Sequence, residues 1–140
     1  MRLTIYREVK TRLPGKRLQQ LFTLVTEAEA SSDCLATVNL VFVSDQKIRL
    51  LNRKYRGMDK ATDVLSFTLE APHPAENTFG EIYISVSTAK RQAETNGRGL
   101  VDEFLWLLCH GLLHLFGYDH KKQADAAKMK LREQHFLNQV

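Results

Sequence analysis

Residues 104–120 of the chain have the sequence FLWLLCHGLLHLFGYDH. The run is strongly apolar as far as Gly117, a residue type that often follows the last turn of a helix in the left-handed conformation. Asp102 and Glu103 stand just before it, where carboxylates suit the positive end of a helix dipole. The stretch therefore predicts a buried helix that ends in a tight turn.

The spacing of apolar residues on either side of this stretch predicts the remaining elements. Strands are expected over about 2–8, 35–43, 64–69 and 80–86. Helices are expected after Pro14-Gly15, after Ser44 as N-cap, from the cap Ser87 to near Gly97 and over the last twenty residues. The prolines of 70–79 predict a loop there. The order β-α-β-α-β-β-α-α-α predicts an α+β fold, a small mixed sheet of about four strands packed with about five helices.

The composition is that of a globular protein. The chain has 140 residues, 44% of them apolar and 26% charged, and a chain of this length forms about one domain, so we expect a single domain over residues 1–140. No apolar run approaches the ~20 residues of a membrane span, and residues 1–5 lack the apolar core of a secretion signal. Cys34 and Cys109 cannot make a disulfide framework. These features predict a cytoplasmic protein without membrane contact.

The net charge of +4 is unevenly distributed along the chain. Residues 1–20 carry +5, residues 45–63 and 121–140 carry +3 each, and residues 64–88 carry −3. A basic stretch commonly forms an ordinary protein surface exposed to water, with no binding role. It also attracts polyanions such as nucleic acid, and both interpretations stay open for each basic segment.

Three of the five histidines lie in the stretch that opens this section. His110 and His114 are four residues apart, which places them on one face of a helix, and the turn at Gly117 can bring His120 back to the same point. Three imidazoles leave one position of a tetrahedral zinc open for water, as in catalytic sites. The sequence predicts such a zinc centre, although nickel or cobalt also suits three histidines. The alternative is an ordinary helix with two half-buried histidines and a third histidine in a loop.

The spacing of the three histidines is also that of the metzincin metalloproteases. Those enzymes carry a glutamate as general base directly after the first histidine. Gly111 stands at that position and cannot move a proton, and Met129, in a helical pattern, is a poor match to their Met-turn. A peptide hydrolase that lacks this glutamate stays open as an alternative. Cys109 points away from His110 around the helix and is expected in the core.

A basic loop precedes the predicted strand at 64–69. A zinc-activated water can attack a phosphodiester if the developing charge is stabilised, and the planar fork of an arginine suits that task. Arg56, next to Gly57 between two core elements, is the candidate for this role, and Lys60 and Ser66 are further candidates for contacts with the substrate. For Arg53 and Lys54 a solvated helix surface is the favoured interpretation.

Three segments resemble the bacterial YbeY family. They are LNRKYRGMDKATDVLSF at 51–67, GEIYIS at 80–85 and HGLLHLFGYDH at 110–120. The resemblance covers about half of the chain, from residue 51 to residue 120. Ala61 stands where the family usually has proline, and Glu81 where aspartate is usual.

The resemblance implies a zinc-dependent endoribonuclease that cuts single-stranded RNA and not DNA. It further implies a role in ribosomal RNA maturation, notably at the 3′ end of small-subunit rRNA, and in ribosome quality control, with the ribosome or its small subunit as partner. His110, His114 and His120 are implied as metal ligands, with His114 and Arg56 counted as catalytic. A non-catalytic ribosome assembly factor that zinc merely stabilises is the remaining alternative.

Overall fold

The computed structural model describes residues 1–31, 34–69 and 77–140. The elements run in chain order as β1 (Arg2–Arg7), α1 (Gly15–Glu29), β2 (Thr37–Val43), α2 (Asp45–Arg56), β3 (Val64–Thr68), β4 (Thr78–Ser85), α3 (Val86–Thr95), α4 (Leu100–Leu115) and α5 (Gln123–Leu137). None of the helices in these ranges is both long enough and apolar enough to cross a membrane.

The predicted order of elements and the α+β class are confirmed, with shifts at several boundaries. The strand predicted from residue 80 begins at Thr78, so the expected loop 70–79 is wrong at its end, and residues 70–76 lie outside the described residues. The predicted cap Ser87 is also wrong. Ser85 caps α3 instead, and its Oγ accepts from the backbone N–H of Thr88 at 3.4 Å. Ser44 caps α2 as predicted, accepting from the N–H of Lys47 at 3.1 Å.

The four strands form one mixed sheet in the order β1-β2-β4-β3. β1 pairs with β2 and β2 with β4 in parallel, whereas β3 runs antiparallel to β4. Ser66 on β3 pairs with Ile82 on β4. Helical connections allow the parallel pairs, and the antiparallel β3 becomes one edge of the sheet.

Helices cover both faces of the sheet, so that β2 is buried on each side. Leu40 and Phe42 belong to the main core, which includes α1, α4 and α5. Val41 and Val43 face the other way, into a smaller cluster with Ile48 of α2. This explains why β2 has a continuous apolar run instead of alternating apolar and polar residues.

Two glycines allow α4 to lie close against β3 and β4. A Cβ atom at Gly111 would be 3.0 Å from Ile82 Cγ2 and 3.0 Å from Ser66 Oγ. A Cβ atom at Gly80 would be 2.8 Å from Leu115 Cδ2 and 2.9 Å from the Phe67 carbonyl oxygen. The absence of a side chain at both positions therefore sets the distance between α4 and the sheet.

Candidate metal centre

The end of α4 and the turn after it bring the three histidines together. Gly117 adopts a φ of +94°, and its N–H donates to the His114 carbonyl at 3.0 Å. The N–H of Tyr118 donates to the Leu113 carbonyl at 3.0 Å, which completes a Schellman turn. The chain reverses there and returns His120 to the two histidines on α4.

The ligand nitrogens of His110, His114 and His120 all lie within 4.8 Å of one another. The first two side chains are half-buried, and the third is exposed. The His110 ring is nearly parallel to the His120 ring, whereas the His114 ring is edge-on to both. The predicted spacing thus produces a compact cluster that is open to solvent on one side.

Hydrogen bonds to the Nδ1 atoms determine which histidine nitrogens carry protons. His110 Nδ1–H donates to Glu133 Oε1 at 2.7 Å, and His114 Nδ1–H donates to the Tyr118 carbonyl at 2.9 Å. The Nε2 atoms of His110 and His114 are therefore left with lone pairs, although they are only 3.1 Å apart. In the neutral rings these lone pairs face each other, so the contact needs either a proton on one Nε2, forming an N–H···N hydrogen bond, or a cation bound by both.

The donor set fits a zinc ion or a similar divalent metal. Nitrogens bound to zinc at ~2.0–2.1 Å in a tetrahedron are about 3.4 Å apart, close to the separation of the two Nε2 atoms. Burial lowers the pKa of His114, and the neighbouring His110 lowers it further. This favours the neutral imidazole that a metal requires.

Helix α5 supports two of the three histidines through adjacent residues. Glu133 accepts from His110 as described, and Arg132 donates to Glu29 Oε1 through Nε at 3.0 Å. Tyr118 Oη also donates to Glu29, at 3.1 Å to Oε2. The Tyr118 carbonyl in turn accepts from His114. Helix α5 thus acts on His110 directly through Glu133, and on His114 indirectly through Arg132, Glu29 and Tyr118.

Sequence reasoning missed Glu133 and Glu29 as parts of this site. Glu133 is buried on the same side of α5 as Met129 and Phe136, and a carboxylate on an apolar helix face indicates a polar partner. That signal was available in the sequence, although it does not identify the partner. Glu29 gives no such signal, because it ends a different helix and lies 89 residues from Tyr118 in the sequence.

The histidine cluster forms one wall of a cleft of about 830 Å³. The rest of the lining comes mainly from β3 and the end of α2, and it includes Arg56. Arg56 Nη2 donates to the Ser66 carbonyl at 2.7 Å, and its guanidinium carbon lies 5.3 Å from the Phe67 ring centroid. The two contacts hold the guanidinium in the cleft and leave other N–H donors of the fork free for a ligand.

The other two predicted substrate residues differ in position. Ser66 lines the cleft, but its Oγ donates to the Gly111 carbonyl at 3.3 Å. Lys60 is exposed and is not part of the cleft lining within the described ranges. Its backbone carbonyl accepts from Asn52 Nδ2 at 2.9 Å, which ties the loop to α2.

The structure gives physical reasons for the residues that set this site apart from a protease. Gly111 faces Ile82 and Ser66, and the contacts described above leave no room for a glutamate. Met129 is buried in the core beside α4. Cys109 is also in the core, and burial raises the pKa of its thiol to about 12, so the thiol stays protonated.

Comparisons with known proteins agree with the geometry. A family model described as Endoribonuclease YbeY matches residues 4–140. A protein named Endoribonuclease YbeY from Desulforamulus reducens is 47% identical over 111 residues, covering 75% of this chain and 72% of the relative. One of the same name from Moorella thermoacetica is 42% identical over 135 residues, covering 88% and 86%. A solution structure of a Thermotoga maritima protein superposes with a TM-score of 0.65 at 30% identity, covering 97% of this chain and 87% of the other.

Proposed function

The chain belongs to the YbeY family of endoribonucleases, and from this premise we propose that it is a zinc-dependent enzyme that cuts single-stranded RNA. The RNA is ribosomal RNA during its maturation, notably the 3′ end of small-subunit rRNA, and the enzyme also serves ribosome quality control. Its partner is the ribosome or the small subunit, and its compartment is the cytoplasm. Residues 1–140 act as one metal-dependent hydrolase domain, which agrees with a main core that joins α1, α4 and α5 to the sheet.

His110, His114 and His120 hold the metal. The observation that carries this assignment is the convergence of the three side chains, whose ligand nitrogens all lie within 4.8 Å of one another. The Nδ1 atoms of His110 and His114 are bonded to oxygens, and their Nε2 atoms lie 3.1 Å apart. When bound, zinc supplies Lewis acidity and makes water acidic enough to be a nucleophile near neutral pH. The role counted as catalytic falls to His114, whose ring is held by the Tyr118 carbonyl and whose pKa is lowered by burial.

Arg56 binds the scissile phosphate within the cleft. In hydrolysis, the water oxygen forms a bond to phosphorus, the bond from phosphorus to the leaving ribose oxygen breaks, and a proton ends on that oxygen. Negative charge on the phosphate oxygens increases in the transition state, and a fixed guanidinium fork stabilises it. Ser66 and Phe67 hold the guanidinium in place through the carbonyl and ring contacts.

Ser66 and Lys60 contribute to substrate binding less directly. The hydroxyl of Ser66 is engaged with Gly111 of α4, and its carbonyl with Arg56, so Ser66 links the two walls of the cleft. Lys60 lies in the basic segment 45–63, which carries +3. Its exposed ammonium attracts the phosphates of an RNA that extends beyond the cleft.

Substitution of Arg56 tests the assignment. Arg56→Ala is expected to lower kcat/KM on single-stranded RNA about a hundredfold or more, the usual effect of losing one donor to a developing negative charge. Zinc content and thermal stability stay at wild-type values, because Arg56 is exposed and contacts Ser66 and Phe67, not a histidine, among the described residues. Arg53→Ala is the matched control, an exposed arginine of the same helix turn that is outside the cleft lining.

Equal cleavage by wild type and Arg56→Ala would remove Arg56 from the mechanism. The non-catalytic alternative makes a different prediction: a folded His120→Ala variant would still complement a strain that lacks the protein. Loss of complementation by this variant, with its fold intact, supports catalysis.

A further inference from the structure

A second groove opens on the other side of the histidine cluster, between α4 and α5. Its volume is about 470 Å³, and it shares His110 and His120 with the larger cleft. The cluster therefore forms the boundary between two adjoining depressions.

The lining of the groove matches a nucleotide in its chemistry. Its apolar part includes Trp106, Met129 and Leu137. Of these, Trp106 and Leu137 are partly exposed and can contact a base. Gln134 also lines it, and an amide side chain offers both donors and acceptors to the polar edge of a base. Lys130 adds a positive charge, as the adjoining phosphate requires.

The charged side chains that line the groove differ in whether they are already paired with another residue. Arg98 Nε lies 2.9 Å from Glu103 Oε2, and the Arg98 guanidinium carbon lies 5.4 Å from the Trp106 ring centroid. Glu133 is occupied by His110. Lys130 is exposed and forms no ion pair with any residue of the described ranges. It is the cation in the groove that is left for a phosphate.

Trp106 connects the groove to the metal centre. Its ring lies 5.0 Å from the His110 ring, centroid to centroid, with 21° between the planes. His110 in turn stacks on His120 at 5.5 Å. The column of three rings runs from the groove to the cluster, so a group bound against Trp106 lies next to the candidate metal ligands.

We propose that this groove binds the nucleotide that follows the scissile phosphate on the side away from Arg56. The base lies against the apolar side chains of Trp106 and Leu137, and Lys130 attracts its outer phosphate. The inference rests on the proposed function, because it extends the same RNA across the histidine cluster. It also accounts for single-strand preference, since a base must leave its stack and its pairing partner to enter a groove of this kind.

The main experiment uses the double variant Lys130→Ala/Gln134→Ala. Both side chains are exposed on α5, so the fold is preserved. Lys16→Ala/Gln20→Ala is the matched control, because it removes the same two residue types at the same spacing from exposed positions of α1, outside both depressions. The zinc-loaded proteins are assayed on one single-stranded RNA and on versions shortened from either side of the cut.

On the full RNA, the α5 double variant is expected to raise KM about tenfold, the scale of one base contact, and the control leaves KM unchanged. On the RNA shortened on one side, wild type and the α5 variant have the same KM, because the groove is then empty. The shortened RNA on which the two KM values become equal shows which end of the RNA strand enters the groove. A KM of the α5 variant equal to that of the control on the full RNA overturns the proposal.

Tryptophan fluorescence gives an independent measure, since Trp106 is the only tryptophan in the chain. A phosphorothioate oligoribonucleotide that resists cleavage should quench it saturably in wild type, with about tenfold weaker binding in the α5 double variant. Unchanged fluorescence with normal cleavage overturns the groove proposal alone. Absence of cleavage by the zinc-loaded wild type overturns the proposed function, so the two failures are distinguishable.

Discussion

Each Nδ1 atom of His110 and His114 donates to an oxygen, and the two Nε2 atoms are thereby left facing each other. The three histidines themselves could be predicted, because they fall within eleven residues and their spacing is a property of one helix and one turn. Glu133 could not be paired with His110, because 23 residues separate them and only the packing of α5 against α4 joins them. The spacing of residues in the sequence predicts the geometry within one helix and turn, but it does not predict which residues of two helices come into contact.

Replacing the carboxylate that orients His110 should weaken the metal site. Glu133→Gln keeps the shape of the side chain and removes its charge, so we expect metal affinity to fall about tenfold, at the low end for a residue that orients a ligand. Glu94→Gln, an exposed carboxylate on α3, is the control. Competition with a chelating dye measures the affinity, and an affinity for Glu133→Gln within twofold of the control would contradict the assignment.

Metal binding should also weaken in acid, because only neutral imidazoles bind. The pKa of His114 is lowered by burial and by His110, so this ligand stays neutral below the usual histidine pKa of about 6.5. We therefore expect constant affinity from about pH 8 to 7 and a loss of about tenfold or more between pH 7 and 5. Titrations in a series of buffers check this, and a flat affinity over the range would be incompatible with three histidine ligands.

At the scale of helices and strands, the sequence predicts the features that depend only on residues close together in the chain. The order of the nine elements follows from apolar periodicity and was predicted. The strand order β1-β2-β4-β3 depends on pairings between distant segments, and no single segment encodes it. The cap of α3 was misplaced by two residues because Ser85 and Ser87 are chemically equivalent in sequence, and only the end of β4 selects between them.

The close contact between α4 and the sheet gives a prediction at this scale. Gly80→Ala would place a Cβ atom 2.9 Å from the Phe67 carbonyl oxygen and 2.8 Å from Leu115. Because a backbone atom cannot move away cheaply, we expect the free energy of unfolding to fall by about 1–3 kcal/mol. At Gly15, the start of α1, an added Cβ atom would meet no heavy atom of the described residues within 4 Å, apart from its chain neighbours and its own helix backbone. Gly15→Ala should therefore unfold like wild type or slightly later. Urea unfolding compares them, and equal midpoints would show that the sheet and α4 can separate freely.

At the scale of the whole molecule, the uneven charge has only a partial explanation. The basic segment 45–63 contains Arg56 and leads into β3, which forms one wall of the cleft. The segment 121–140 contains Lys130, and α5 forms a wall of the second groove. Both therefore border the path that we propose for RNA. The +5 of residues 1–20 has no comparable position and is best explained as ordinary surface.

The central claim is that a metal held by His110, His114 and His120 cuts RNA beside Arg56. The most direct test is to measure the metal content of the purified protein and its cleavage of single-stranded RNA before stripping, after stripping and after restoring the metal. We expect one bound ion per chain, loss of cleavage in the stripped protein, and recovery with one equivalent of zinc. Cleavage that continues at the same rate in the metal-free protein would contradict it.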